Sequence, residues 1–229
     1  MSETVKGDAR REIMGRVRER LGVRGDEVGR RGRVQSRIRN AVANIIPERA
    51  KVGKSERIKL FQSMLETSGA EVSRVRTYKA LPEVIAALLR DNNLPSRVRI
   101  GDDPIFAAFR AEPGLVEILS GPAQGDDLVS VSRAFSAAAE TGTMFLISGK
   151  DNPSTLNFLP ENHIVIIAAD DIAGAYEESW AKIRSDFGAG KMPRTVNLIS
   201  GPSRTADIEQ TIVMGAHGPR KLFVLIAGG

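Results

Sequence analysis

Residues 164–168 (Ile-Val-Ile-Ile-Ala) and 222–226 (Leu-Phe-Val-Leu-Ile) are unbroken apolar runs with no polar residue marking an outer face. Strands that read this way are covered on both sides, as in a parallel sheet packed between layers. Strands are also predicted over 97–100, 128–131, 143–147 and 195–199, several of them near-continuous in apolar residues, and Val72 and Val75 mark a short strand over 71–77. Between them the period lengthens to that of a helix. Ile58, Phe61, Met64 and Leu65 form one stripe that stops at Gly69, and 82–90 begins on Pro82, a residue suited to a first helical turn. A further helix is predicted over 172–187, and 105–109 is a short apolar stretch after the loop of Asp102, Asp103 and Pro104. Strands interleaved with helices predict an α/β fold, a three-layer α/β/α sandwich on a mostly parallel sheet. No internal repeat or low-complexity tract interrupts it.

The first quarter of the chain differs. Ile13, Val17 and Leu21 lie four apart with Met14 beside them, a narrow apolar seam among arginines on a helix–loop–helix pattern broken by Gly22, Gly25, Gly29 and Gly32. Residues 1–60 hold 17 Lys or Arg against 8 Asp or Glu, a net of +9, while residues 61–229 hold 16 against 20, a net of −4. The overall charge of +5 over 229 residues therefore belongs to a basic arm over 1–50, attached to a mildly acidic domain over 51–229. Such a helix suits docking on a partner or on a second copy of the chain. The arm has no aromatic for base stacking, so a solvated or protein-facing role is expected ahead of nucleic-acid binding.

Composition narrows the chemistry. With no cysteine there is no disulfide and no thiolate for zinc or an iron–sulfur cluster, and two histidines make a His-based metal site improbable. No run of about 18 apolar residues suggests a membrane span. The first 15 residues lack the apolar core of a secretory signal, so a cytoplasmic location is expected.

Ligands in open α/β sheets bind beyond the carboxyl ends of strands, and three loops next to strands stand out. Glu140, in Ala139-Glu140-Thr141-Gly142-Thr143, is placed to act as base, nucleophile or acceptor at a sheet edge, or simply to end a helix. The segment 200–209, Ser-Gly-Pro-Ser-Arg-Thr-Ala-Asp-Ile-Glu, follows a strand and offers Gly201, Ser203, Arg204 and Thr205 to a phosphate or carboxylate. Asp207 there is either a ligand contact or a helix cap with Gln210. The third loop, 215–220, holds His217 between glycines, with Gly218 and Arg220 beside it. His217 is a candidate proton donor or anion partner, whereas His163, opening an apolar strand, is read as structural.

The succession A-E-T-G-T at 139–143, L-P-x-x-H-I at 159–164, S-G-P-S-R-T-A-D-I-E at 200–209 and G-x-H-G-P-R at 215–220 resembles the LUD-domain family of lactate utilization protein C. The resemblance runs in order over about residues 128–226. It implies a fold similar to the NagB, ribose-phosphate isomerase and CoA-transferase group, and a place beside two iron–sulfur partner subunits that oxidise L-lactate to pyruvate. The cysteine-free chain would then carry no cofactor of its own and contribute ligand binding, assembly or regulation. Two alternatives stand beside it. One is a free-standing isomerase or acyl-transferase with Glu140 as base or nucleophile and Arg204 on a phosphate; the other is a binding or regulatory module.

Overall fold

The computed structural model describes residues 3–40, 42, 44–111, 114–188, 190–206 and 212–228. The chain divides into a small unit over residues 1–43 and a large one over 44–229.

The small unit is two helices, α1 (Glu3–Arg20) and α2 (Val28–Asn40). The turn between them uses Gly22 and Gly25 at positive φ, a region open to glycine at little cost. Glu27 secures the turn, its carboxylate accepting the backbone N–H groups of Arg24 (2.7 Å) and Gly25 (3.0 Å). Those bonds, that of Arg24 foremost, hold its carboxyl below the ordinary range.

In the large unit the order is α3 (Lys54–Thr67), β1 (Glu71–Val75), α4 (Leu81–Asp91), β2 (Arg97–Ile100), α5 (Ala107–Ala111), β3 (Glu117–Ser120), β4 (Val129–Arg133), β5 (Ser136–Ala138), β6 (Thr143–Ile147), β7 (Asn162–Ala168), β8 (Ile172–Ala173), α6 (Tyr176–Phe187), β9 (Val196–Ile199), β10 (Arg204–Ala206), β11 (Ile212–Met214) and β12 (Lys221–Ala227). Six of these strands make a wholly parallel sheet in the order β1-β12-β7-β4-β2-β3.

Alternation along the strands explains the unbroken apolar runs. Leu222, Val224 and Ile226 of β12 share one face with Val165 and Ile167 of β7, packed with Ile58, Phe61 and Leu65 of α3. Phe223, Leu225, Ile164 and Ile166 point the other way, against Leu81, Ile85 and Leu89 of α4 and Phe106 and Phe109. Each such fully buried side chain contributes ~1.5–3 kcal/mol, so both faces are strongly specified.

Helix α3 ends as its Gly69 predicts. Gly69, at φ 89°, donates to Glu66 O (2.9 Å), and Ala70 donates to Leu65 O (3.0 Å), the paired bonds of a Schellman stop.

The mostly parallel α/β sheet flanked by helices is present, but its layers are not all helical. Two predicted strands, 143–147 and 195–199, belong to a second, mixed sheet in the order β8-β5-β6-β9. The cause is local: only residues 139–142 separate β5 from β6, and so short a link permits antiparallel pairing alone. This sheet packs with α3 against the parallel one, and α6 covers its far side, where Phe145 meets Tyr176 and Trp180 edge-on at 5.4 and 5.3 Å. The helix predicted from 172 starts at Tyr176, because 172–173 pair with β5. No helix among the described residues is long and apolar enough to cross a membrane.

Candidate functional site

Two of the three loops singled out in the sequence join at one residue. Ser203 donates its N–H to Pro219 O (2.8 Å), accepts the N–H of Gly215 at its carbonyl (3.0 Å), and accepts the N–H of His217 at Oγ (3.3 Å). The chain then rises through β10 and returns through β11, antiparallel, with Arg204 opposite Met214. Gly215 (φ 83°) lies under Arg220, whose Cγ would stand 2.1 Å from any Cβ built there, so no other residue fits without displacing that side chain. Gly218 lies beside Ser203, whose Cβ would stand 3.4 Å from a Cβ built on the glycine. Arg204, His217 and Arg220 are exposed and Thr205 half-buried. Asp207 lies outside the described residues.

Both this loop and the β5–β6 turn rest on the end of α3. Gly201 approaches Ser68, Gly142 lies against the backbone of Leu65, and the Arg204 guanidinium covers Gly69, where a Cβ would sit 2.1 Å from Nη2. A cation at a helix C-terminus is favourably placed. A chain of hydroxyls ties the loops together: Thr143 Oγ1 is 2.7 Å from Ser200 Oγ and 2.8 Å from Thr141 Oγ1, and accepts from Tyr176 Oη at 2.6 Å.

Glu140 sits in that turn, buried, but its carboxylate aims elsewhere. Oε1 accepts the N–H of Tyr176 (3.1 Å), the first residue of α6. It thereby satisfies one of the helix's otherwise unbonded N–H groups, alongside Glu178, which accepts from Gly174 and Ala175. Among the described residues it makes no hydrogen bond or ion pair with Arg204 or His217.

A second site, absent from the sequence reading, opens at the carboxyl ends of the parallel strands. The chain leaves β2 for α5 on one face of the sheet and leaves β4 for the mixed sheet on the other. That divergence between neighbouring strands is the switch point at which open α/β sheets form crevices. A cavity of about 450 Å³ lies there, lined by Asp103 beyond β2, Arg133 ending β4, Asp151 and Asn152, and Lys182 and Asp186 of α6. Arg133 reaches Asp103 at 3.9 Å and Asp171 at 3.7 Å, while Lys182 Nζ bonds Asp171 Oδ1 (2.6 Å) and Phe135 O (2.9 Å). Gly101 makes the wall possible, since a Cβ there would meet Asp151 O at 2.0 Å. Tyr78 stands in the same field. Burial raises its hydroxyl pKa despite Arg133, with Asp171 and Asp103 adding to the rise, so it stays protonated. The available signal was polar residues at or just beyond strand ends: Asp102-Asp103 after β2, Arg133 at the end of β4, Asp170-Asp171 after β7. Among the described residues no group of three or more His, Asp or Glu is arranged to hold a metal.

Residues 127–227 match the family model described as LUD domain. Lactate utilization protein C of Geobacillus sp. (strain WCH70) is 39% identical over 89 residues, covering 38% of this chain and 37% of that protein. The protein of that name from Shouchella clausii (strain KSM-K16) is 36% identical over 88 residues, 38% of each. An uncharacterized protein from Neisseria meningitidis serogroup B is 32% identical over 152 residues, 64% of this chain and 61% of that one. The chain thus spans between 37% and 61% of the length of these three relatives. Among solved structures, a DUF162 family protein from Deinococcus radiodurans superposes with a TM-score of 0.59 at 22% identity, covering 77% of this chain and 99% of that one, a likeness of fold.

Proposed function

We propose, from the premise that residues 127–227 are a LUD domain similar to that of lactate utilization protein C, that this chain is the non-redox component of a lactate utilization system. It binds a small carboxylate or phosphate at the paired loops 200–206 and 215–220. The observation that supports this reading is the convergence at Ser203, which leaves Arg204, His217 and Arg220 exposed around one joint. The backbone N–H groups of Ser203, Gly215 and His217 are spent on holding the joint, so the exposed guanidinium side chains are the groups that suit a small anion. The chain has no cysteine, so it offers no thiolate to a cluster, and the oxidation of lactate is assigned to iron–sulfur partner subunits. The expected result is that Arg204→Ala weakens binding of L-lactate, pyruvate or inorganic phosphate at least tenfold by titration calorimetry and abolishes growth on lactate, while the chain stays folded with only a small fall in Tm from the lost cation at the α3 C-terminus. Wild-type affinity for all three in the variant removes the site.

Assembly is assigned to the small unit. Its net charge is +6 over residues 1–43, and α1 and α2 enclose a groove of about 600 Å³ lined by Met14, Val17, Leu21 and Val34, with Arg30 and Arg31 at the rim. Apolar floor and basic rim together fit an acidic, partly apolar partner surface. Arg30→Glu/Arg31→Glu is expected to reduce co-purification with co-expressed iron–sulfur subunits at least tenfold while leaving small-anion binding intact. Undiminished recovery of the complex would place the interface elsewhere.

A further inference from the structure

The cleft at the switch point is distinct from the paired loops, and its chemistry differs from theirs. Three aspartates of its lining, Asp103, Asp151 and Asp186, face two cations, Arg133 and Lys182. Both cations are already drawn to Asp171 behind them, at 3.7 and 2.6 Å. An anion entering here would meet a surplus of carboxylates, so the ligand of the cleft is not the small anion assigned to the loops.

Its polar groups are nonetheless unmatched in both senses. Asn152, 5% exposed, donates weakly to Ile147 O (3.4 Å), and its Oδ1 accepts nothing among the described residues. Arg133 Nε is buried without an acceptor among the described residues, and the terminal nitrogens of that guanidinium lie 3.7–3.9 Å from their carboxylates, beyond hydrogen-bond reach. Buried polar atoms without partners are uncommon and call for an occupant or a role. An ammonium group would answer the acceptors alone, and a carboxylate the donors alone. A hydroxyl does both and brings no charge. Planar carboxylate, amide and guanidinium groups surround the space, while Phe135, Phe187 and Ile147 supply apolar wall for C–H faces. At about 450 Å³ the cavity falls within the range of small-ligand clefts.

We propose that this cleft binds a small, uncharged, polyhydroxylated molecule, of the sugar or sugar-alcohol class. The site rests on the placement of Asp103, Arg133, Asn152 and Asp186 at the β2/β4 divergence, independently of the anion reading of the loops.

The test is ligand-detected saturation-transfer NMR on the full chain with four probes: ribitol and D-glucose as neutral polyols, D-gluconate as the acid and D-glucosamine as the amine. At least one neutral polyol should give transfer, with D-gluconate at least tenfold weaker. Asn152→Leu should weaken that binding at least tenfold. Asp186→Leu, at an exposed position that folding does not need, should weaken it severalfold at an unchanged Tm. Arg204→Ala should leave polyol binding as it is, and Asn152→Leu should leave phosphate binding as it is, which separates this site from the loops. Absence of transfer from both neutral polyols overturns the proposal, as does gluconate or glucosamine binding more tightly than either. Wild-type polyol affinity in a folded Asn152→Leu and in Asp186→Leu overturns it as well.

Discussion

Acidification from about pH 6.5 toward pH 3 is expected to remove roughly 5 kcal/mol of folding stability through one side chain, His163. His163 stands near the start of β7, fully buried, with Nε2 3.0 Å from Ser132 Oγ. Ser132 gives its own proton to Asn157 Oδ1 (3.2 Å), so the imidazole must be the donor to Ser132 and carries its proton on Nε2. Nδ1 is left buried with no partner among the described residues. A second proton would have to sit there as an unpaired charge, and burial pushes the pKa down from 6.5 to about 3. The sign follows. Above about pH 6.5 folded and unfolded chains are both neutral at this site and stability is full. Below it the unfolded chain takes up a proton that the folded one refuses, and stability falls by about 1.4 kcal/mol per pH unit until the folded pKa is reached. Urea unfolding of the wild type and His163→Gln at pH 7, 5.5 and 4 isolates the effect, since the carboxylates titrate alike in both. The wild-type profile should be steeper between pH 5.5 and 4 by roughly that slope. Parallel profiles would show that His163 is protonated, or partnered, in the folded chain.

That a histidine at the mouth of an apolar strand is structural was legible in the sequence, and the reason extends to most of the large unit. Burial on both faces of β7 and β12 imposes unbroken apolar runs, and the stripe of α3 with its Gly69 stop imposes helical spacing, so these elements are written locally. The partition between two sheets is not. Residues 144–147 are as apolar as 164–168, and only the length of the turn at 139–142 separates an antiparallel neighbour from a parallel one. Glu140 shows the same limit. Its composition suggests an edge carboxylate, but its partner is the N–H of a residue 36 positions later, at a helix start that strand pairing displaced from 172 to 176. The paired loops carry dense motifs because many of their residues act within a few positions. The cleft has no motif because it joins the ends of β2 and β4, the stretch 147–152 and the last turns of α6, which are far apart in the chain. Single polar residues after strands become a site only when the topology brings strand ends together.

The alignment of β2 with β4 that brings them together depends on a buried ion pair, and breaking it should be the most damaging charge substitution in the large unit. Arg99 and Asp127 have side chains 12% and 3% exposed and meet as a two-point pair, Nε to Oδ2 at 2.8 Å and Nη2 to Oδ1 at 3.2 Å. Asp127 also accepts the N–H of Gln124 (2.7 Å), and Arg99 donates to Ser120 O (3.2 Å), so the pair gathers the end of β3 and the loop into β4 around β2. Burial pushes the Asp127 carboxyl upward, but the Arg99 hydrogen bonds and the Gln124 N–H outweigh it, leaving the group below the ordinary range and charged. Removing either partner strands the other as an uncompensated buried charge, which costs about 3–5 kcal/mol, or on the order of 10 °C in Tm for a unit of this size. Asp127→Ala and Arg99→Ala should therefore each cause a loss of that order, whereas Arg99→Met with Asp127→Leu should recover most of it, because two apolar side chains leave no charge behind. Arg99 pairs with Ser130 and Ile100 with Val131, so this register also sets Asp103 and Arg133 at the same end of the sheet. Polyol binding at the cleft should fall in both single variants and return in the double one. Single variants that unfold within about 1 kcal/mol of the wild type would mean that water reaches the pair and that the strand alignment is held by apolar packing alone.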